Sequence, residues 1–155
     1  MRLGSGICPV PKMLEQGIKV GIGVDGSASN DSGHILGELR QALYLARVDG
    51  GAEAMSAIDA LELGTWRAAE LIGRDDIGRI AIGFCGDCAL FPVEDLYSSG
   101  CENVVDALLL CHPRQVTDSI VGGTLQIRDG NLLPIDLGEH MYRHQRRANE
   151  LHQFN

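Results

Sequence analysis

The run Lys19-Val20-Gly21-Ile22-Gly23-Val24-Asp25-Gly26-Ser27-Ala28-Ser29-Asn30-Asp31 places one carboxylate between an apolar stretch and a loop of small polar residues. Ile18 to Val24 alternates apolar and small side chains, a pattern that predicts a strand ending on Asp25. A carboxylate at the C-terminal end of a parallel strand lies where α/β barrels place catalytic groups. Such a group can bind a metal and take a proton from metal-bound water. One carboxylate cannot hold zinc alone, because a catalytic site needs about three protein ligands. The same aspartate can also simply cap the turn that follows, as Asp often does before Gly.

Other residues offer weaker chemistry. Gly21-x-Gly23-x-x-Gly26 matches a dinucleotide fingerprint in letters only. Its first glycines lie inside the predicted strand, Asp25 would repel a pyrophosphate, and no helix opens at Gly26. Cys85-Gly86-Asp87-Cys88, with Cys111-His112 downstream, invites a zinc reading. Adjacent Cys111 and His112 chelate poorly, so buried or turn thiols are the better expectation. His140 and His144 stand four apart on a predicted helix but lack the glutamate of a metalloprotease. Trp66 reads as a packing residue.

The elements that must position these groups follow from pattern. Pro9 to Gln16 predicts a short helix stopped by Gly17, and Asp31 or Ser32 is placed to cap the next one. That helix runs from His34 to Val48, with Ile35, Leu36, Leu39, Leu43, Ala46 and Val48 at helical spacing. Ser56 to Leu63, with Asp59 three residues after Ser56, reads as a capped helix, and Trp66 to Ile72 as another. Ile80 to Val93 and Thr117 to Asp129 contain short strands around a brief helix at Val104 to Leu110. A charged helix, Asp136 to Leu151, closes the chain, with Arg143, Arg146 and Arg147 complementing its dipole. A boundary near Asp75 divides the chain into residues 1–75, barrel-like α/β material, and 76–155, a small β unit with a C-terminal helix.

Five motifs in order carry a resemblance. Arg2-Leu3-Gly4-Ser5-Gly6 with Pro9, and Val24 to Asp31, resemble the last barrel segment of the metal-dependent amidohydrolase superfamily. The branch is that of aminohydrolases and chlorohydrolases acting on purines and triazines. Ala60 to Thr65 and Ile72 to Gly78 resemble the helix after that strand and the turn beyond it. Gly83 to Phe91 resembles a Pro-Gly-Lys-x-Ala-Asp signature, with Cys85 at the lysine position. Val121-Gly122-Gly123 and Asp129-Gly130 resemble the closing hairpin.

The resemblance implies an α/β fold: the C-terminal part of a TIM-like (β/α) barrel, then part of a small β-sandwich-like domain. It implies hydrolytic deamination of a purine-like or other nitrogen heterocycle. Asp25 would then orient the attacking hydroxide, bind zinc (or iron) and carry the proton to the leaving amine. Ser27, Asn30, Asp31 and Arg2 would line the substrate site. The superfamily's His-x-His pair, later histidines and catalytic glutamate have no match among His34, His112, His140, His144 and His152. The chain is therefore expected to be inactive alone and to bind no metal by itself.

Composition bounds the partners. A formal net charge of −8 and the lack of basic runs argue against nucleic acid. No apolar run approaches the ~20 residues of a membrane span, and no signal peptide is visible. Five unevenly spaced cysteines suggest reduced thiols and a cytoplasmic location. An alternative reading makes the chain a non-catalytic truncated fragment, an oligomerisation or interaction module. A strand without neighbours invites pairing with a second copy or with a complementary N-terminal fragment.

Overall fold

The computed structural model describes residues 3–30, 32–111 and 114–153. Helix α1 (Val10–Glu15) starts after Pro9 and stops where Gly17 turns left-handed, at φ 73°. Residues 18–24 then run extended across the helical layer. The Ile18 N–H donates to the Met13 carbonyl at 2.9 Å and the Ile22 N–H to the Leu63 carbonyl at 3.0 Å. Val20 is buried beneath them. Gly21 passes so close to the following helices that a Cβ there would meet the Ala68 Cα at 3.0 Å.

The strand expected at Ile18 to Val24 is not formed. Among the described residues the single sheet lies elsewhere, so the extended segment has no ladder to join. Alternation sets which side chains face inward; only a neighbouring strand makes the segment a strand.

Helix α2 (Ile35–Gly50) buries Leu36, Leu39, Leu43 and Ala46, one stripe at spacings of three and four. Its N-cap is His34, rather than Asp31 or Ser32: the His34 ring accepts from the Gly37 N–H at 3.2 Å. Asp31 lies outside the described residues. Helix α3 (Ala57–Leu63) carries the expected capping box. The Ser56 Oγ accepts from the Asp59 N–H at 3.1 Å, and the Ser56 N–H donates to the Asp59 carboxylate at 2.8 Å. Gly64 links α3 to α4 (Trp66–Leu71), lying against the Leu39 side chain. Trp66 is only partly buried, with the guanidinium groups of Arg67 and Arg79 over its ring at 4.5 and 4.9 Å.

The sheet is an antiparallel meander of β1 (Cys88–Leu90), β2 (Asp118–Val121), β3 (Thr124–Arg128) and β4 (Asn131–Leu132). Cys88 pairs with Ile120, and a bulge at Ser119 and Ile120 shifts the β2–β3 register. Both hairpins turn on two residues with positive φ, Gly122-Gly123 and Asp129-Gly130, which matches the twist of the flanking strands. Between β1 and β2, α5 (Val104–Asp106) widens into a π-helical segment, Ala107–Cys111. That segment sends Leu109 into the core beside Leu39, Leu43 and Leu63. Helix α6 (Leu137–His152) is capped by Asp136 and carries Glu139–Arg143 and Arg146–Glu150 pairs on its surface. No helix among the described residues is long and apolar enough to cross a membrane.

Candidate functional site

Asp25 follows the extended segment and is exposed. Its backbone takes φ 63°, a left-handed conformation that Asp tolerates better than most residues. The turn after it is closed by the Ser29 and Asn30 N–H groups, which both donate to the Gly26 carbonyl at 3.0 Å. This turn brings two donors onto the carboxylate. The Ser29 hydroxyl donates to Oδ2 at 2.6 Å, and the Gly26 N–H donates to Oδ1 at 2.7 Å. The Ser29 bond, then the Gly26 bond, hold the Asp25 carboxyl below its ordinary value, because both donors favour the ionised form. The outer lone pairs remain open to solvent.

Asn30 is anchored at both ends of its amide. Its Nδ2 donates to Glu38 Oε1 at 2.7 Å, and its Oδ1 accepts from the Ser32 and Gly33 N–H groups at 3.2 Å. Glu38 belongs to the first turn of α2, so Asn30 pins the site loop to that helix. Ser27 is exposed at the tip of the turn. The structure thus brings Asp25, Ser27 and Asn30 together on one short loop. Arg2 and Asp31 lie outside the described residues.

Pattern reading missed Glu38 and the support below the loop. The His34 Nδ1 accepts from Gly37, so the ring's proton sits on Nε2, which donates to the Arg114 carbonyl at 3.0 Å. The buried Arg114 guanidinium grips the Asp95 carboxylate with two donors, one of them at 3.0 Å. That bond holds the Asp95 carboxyl well below the usual range. Histidine is not among the residues that usually cap helices, and its second partner, 80 positions away, leaves no mark in local sequence.

The other candidates resolve into structural roles. The Cys85 thiol donates to Asp76 Oδ2 at 3.2 Å, inside an Arg74–Asp76 ion pair. Donation to that carboxylate pushes the thiol upward and keeps it protonated. His140 and His144 are exposed on α6, and His112 lies outside the described residues. Among the described residues no three His, Cys, Asp or Glu side chains are grouped to hold an ion. Asp25 therefore lacks companions for a three-ligand zinc site, and the described residues do not by themselves fit that metal. An apolar cavity of about 720 Å³ opens elsewhere, between α2, α4 and the sheet, lined by Leu36, Ala68, Phe91 and Ile120 among others.

A chain with this loop order and this helix–meander arrangement matches the amidohydrolase family over residues 1–132 and belongs to that family. Among curated relatives, 8-oxoguanine deaminase of Pseudomonas aeruginosa is 43% identical over 151 residues, 97% of this chain and 34% of the relative. The 5-methylthioadenosine/S-adenosylhomocysteine deaminase of Halothermothrix orenii is 33% identical over 146 residues, 92% of this chain and 34% of the relative. The solved structure of an adenosine deaminase from Xanthomonas campestris with bound zinc superposes with a TM-score of 0.92 at 27% identity, covering 97% of this chain and 35% of that one. The chain spans about a third of the length of the curated relatives it matches. The neighbours place it in an α/β fold class whose known members include zinc enzymes.

Proposed function

We propose that this chain supplies the proton-carrying carboxylate, Asp25, of a hydrolytic deaminase acting on a purine-like heterocycle, with 8-oxoguanine the first substrate to test. One observation carries the reading: Asp25 is exposed at the end of the extended segment, held ionised by Ser29 and Gly26. Hydrolytic deamination adds water to a ring carbon and breaks the exocyclic C–N bond, releasing ammonia. A proton must leave the water and reach the departing nitrogen. In this reading Asp25 makes that transfer. Protonating it weakens the Ser29 and Gly26 bonds, so the accepted proton is readily passed on. Ser27, with Arg2 and Asp31, is proposed to face the heterocycle; Asn30, expected there too, has its amide bonded to Glu38 and the Ser32–Gly33 backbone and is proposed instead to hold the loop. The loop's attachment to Glu38 fixes its position before substrate arrives.

A role for Asp25 as a metal ligand belongs to the same proposal and requires histidines from further residues of a full-length family protein. The barrel and sandwich assignments, the division at Asp75 and a cytoplasmic location are part of this reading too. The test is ammonia release from 8-oxoguanine by the purified chain supplied with zinc. No turnover is expected. Turnover that survives purification and disappears in Asp25→Ala would show that this chain needs no other residues.

A second reading, association, is favoured by residues 18–24, which join no sheet among the described residues, and by Ile80 and Ile82, which are 90% and 106% exposed. Light scattering after size exclusion tests it. An oligomer is expected, and a monodisperse monomer would contradict it.

A further inference from the structure

We propose that His34 is a positioning residue for the Asp25 loop, acting through the first turn of α2. The inference deepens the reading of Asp25 as proton carrier, but its test uses no turnover, so either can fail without the other. It starts from how the loop is held. Most bonds of residues 25–33 stay within the loop. The Ser29 and Asn30 N–H groups close on the Gly26 carbonyl, and those of Ser32 and Gly33 on the Asn30 amide oxygen. Among the described residues, the one hydrogen bond that leaves the loop runs from Asn30 Nδ2 to Glu38 Oε1, at 2.7 Å. The loop, and with it the Ser29 hydroxyl on Asp25, is therefore placed by where Glu38 stands.

Glu38 stands where α2 is weakest. The first turn contains Gly37, and glycine costs more in a helix than any residue but proline. Its N–H groups have no carbonyl of an earlier turn to bond, so the turn depends on a cap. The Gly37 N–H finds one in His34 Nδ1 at 3.2 Å, while the Glu38 N–H donates to the His34 carbonyl at 3.2 Å. An imidazole does this only with its ring held and its proton on the other nitrogen. The Arg114 carbonyl supplies both conditions, accepting from Nε2 at 3.0 Å. Arg114 is itself anchored. It is 4% exposed and bonded to Asp95, and three residues on the Thr117 N–H donates to the Leu90 carbonyl of β1 at 2.8 Å. One half-buried imidazole thus joins the sheet side of the molecule to the Asp25 loop, by way of the first turn, Glu38 and Asn30.

Amide hydrogen exchange and the Asp25 titration, both read by NMR on the whole chain, test this link. His34→Ala should speed exchange at the Asn30, Ser32 and Gly33 amides by about 2- to 30-fold, the loss of one N-cap expressed as a rate. The Asp25 carboxyl should move towards the ordinary carboxylate range as the Ser29 bond loosens with the loop. His34→Asn should recover most of both effects, because asparagine is a favoured cap. Ser56→Ala uncaps α3 instead and should leave the loop amides and Asp25 unmoved. Where His34→Ala does not fold, Gly37→Ala carries the test. Its Cβ would meet His34 Nδ1 at 3.8 Å and Cβ at 3.9 Å, ordinary contacts. The better helix former should slow the loop amides by up to about fivefold. Loop amides or an Asp25 titration indifferent to His34→Ala, equal effects from Ser56→Ala, no recovery in His34→Asn, or loop amides unchanged in Gly37→Ala would each overturn the proposal.

Discussion

Gly64→Ala is expected to destabilise the protein, although its backbone conformation suits alanine. Gly64 has φ −99° and ψ 0°, so no left-handed strain opposes a side chain. In the unfolded chain the change lowers entropy, a gain of about 0.4–1 kcal/mol for the folded state. The added Cβ would stand 2.7 Å from one Leu39 methyl and 3.1 Å from the other. Favourable carbon contacts lie at about 3.5–4.0 Å. Leu39 is 2% exposed, and the apolar cavity that it lines together with Gly64 leaves its methyls only one direction in which to move, which puts the cost towards the lower end of the overpacking range. Overpacking of this kind costs about 1–3 kcal/mol, which exceeds the entropic gain. Leu39→Ala alone should cost about 2–5 kcal/mol through lost contact and a residual cavity. In the double variant the alanine at 64 fills part of that space. Its total should fall short of the sum of the single changes by about 0.5–3 kcal/mol, the coupling expected for residues in contact. Urea unfolding and thermal melts, both followed by circular dichroism, measure all four proteins, with each kcal/mol shifting the thermal midpoint by about 2–4 °C. A stabilised Gly64→Ala, or additivity within about 0.5 kcal/mol, would refute the packing argument.

Three further outcomes are expected. Ser29→Ala should raise the Asp25 pKa towards the ordinary carboxylate range, read from the pH dependence of its carboxyl carbon resonance; an unmoved titration would mean that the Ser29 bond does not form. The Asp59 carboxyl is lowered chiefly by the Ser56 hydroxyl and the Ser56 N–H. Its contribution to stability is therefore present above the unfolded pKa of about 3.9 and lost as pH falls through the lower folded value. Ser56→Ala should cost about 1 kcal/mol at neutral pH and less in acid, measured by urea unfolding across that range. Asp76→Asn should speed alkylation of Cys85 by iodoacetamide at mildly alkaline pH, since the carboxylate that keeps the thiol protonated is gone; an unchanged rate would contradict that pairing.

Features set by neighbours in sequence were legible before the fold was known. Ser56 and Asp59 announced a capping box, the stripe from Leu36 to Ala46 announced a buried helix face, and Gly122-Gly123 marked a tight hairpin. Asp25 stood out because its surroundings change from apolar to small and polar within two residues. What could not be read depended on distant partners. Ile18 to Val24 carries the composition of a strand, yet its state depends on a neighbour that composition does not describe. His34 was legible as a helix start but not as a tie to Arg114. Asn30 was legible as polar and available, whereas the structure spends its amide on Glu38 and the Ser32–Gly33 backbone. The π-helical widening at Ala107–Cys111 likewise follows from docking Leu109 into a core built by α2 and α3.

The proposed deaminase function depends most heavily on Asp25 as the proton carrier. The direct measurement is kcat for 8-oxoguanine deamination by a chimera in which this chain replaces the matching third of the Pseudomonas aeruginosa deaminase, with zinc content and folding measured alongside. The chimera should release ammonia, and Asp25→Asn should lower kcat by about 10²–10⁴-fold while the protein stays folded. A folded, zinc-loaded Asp25→Asn chimera with undiminished kcat would contradict the account, as would a folded, zinc-loaded parent chimera with no turnover.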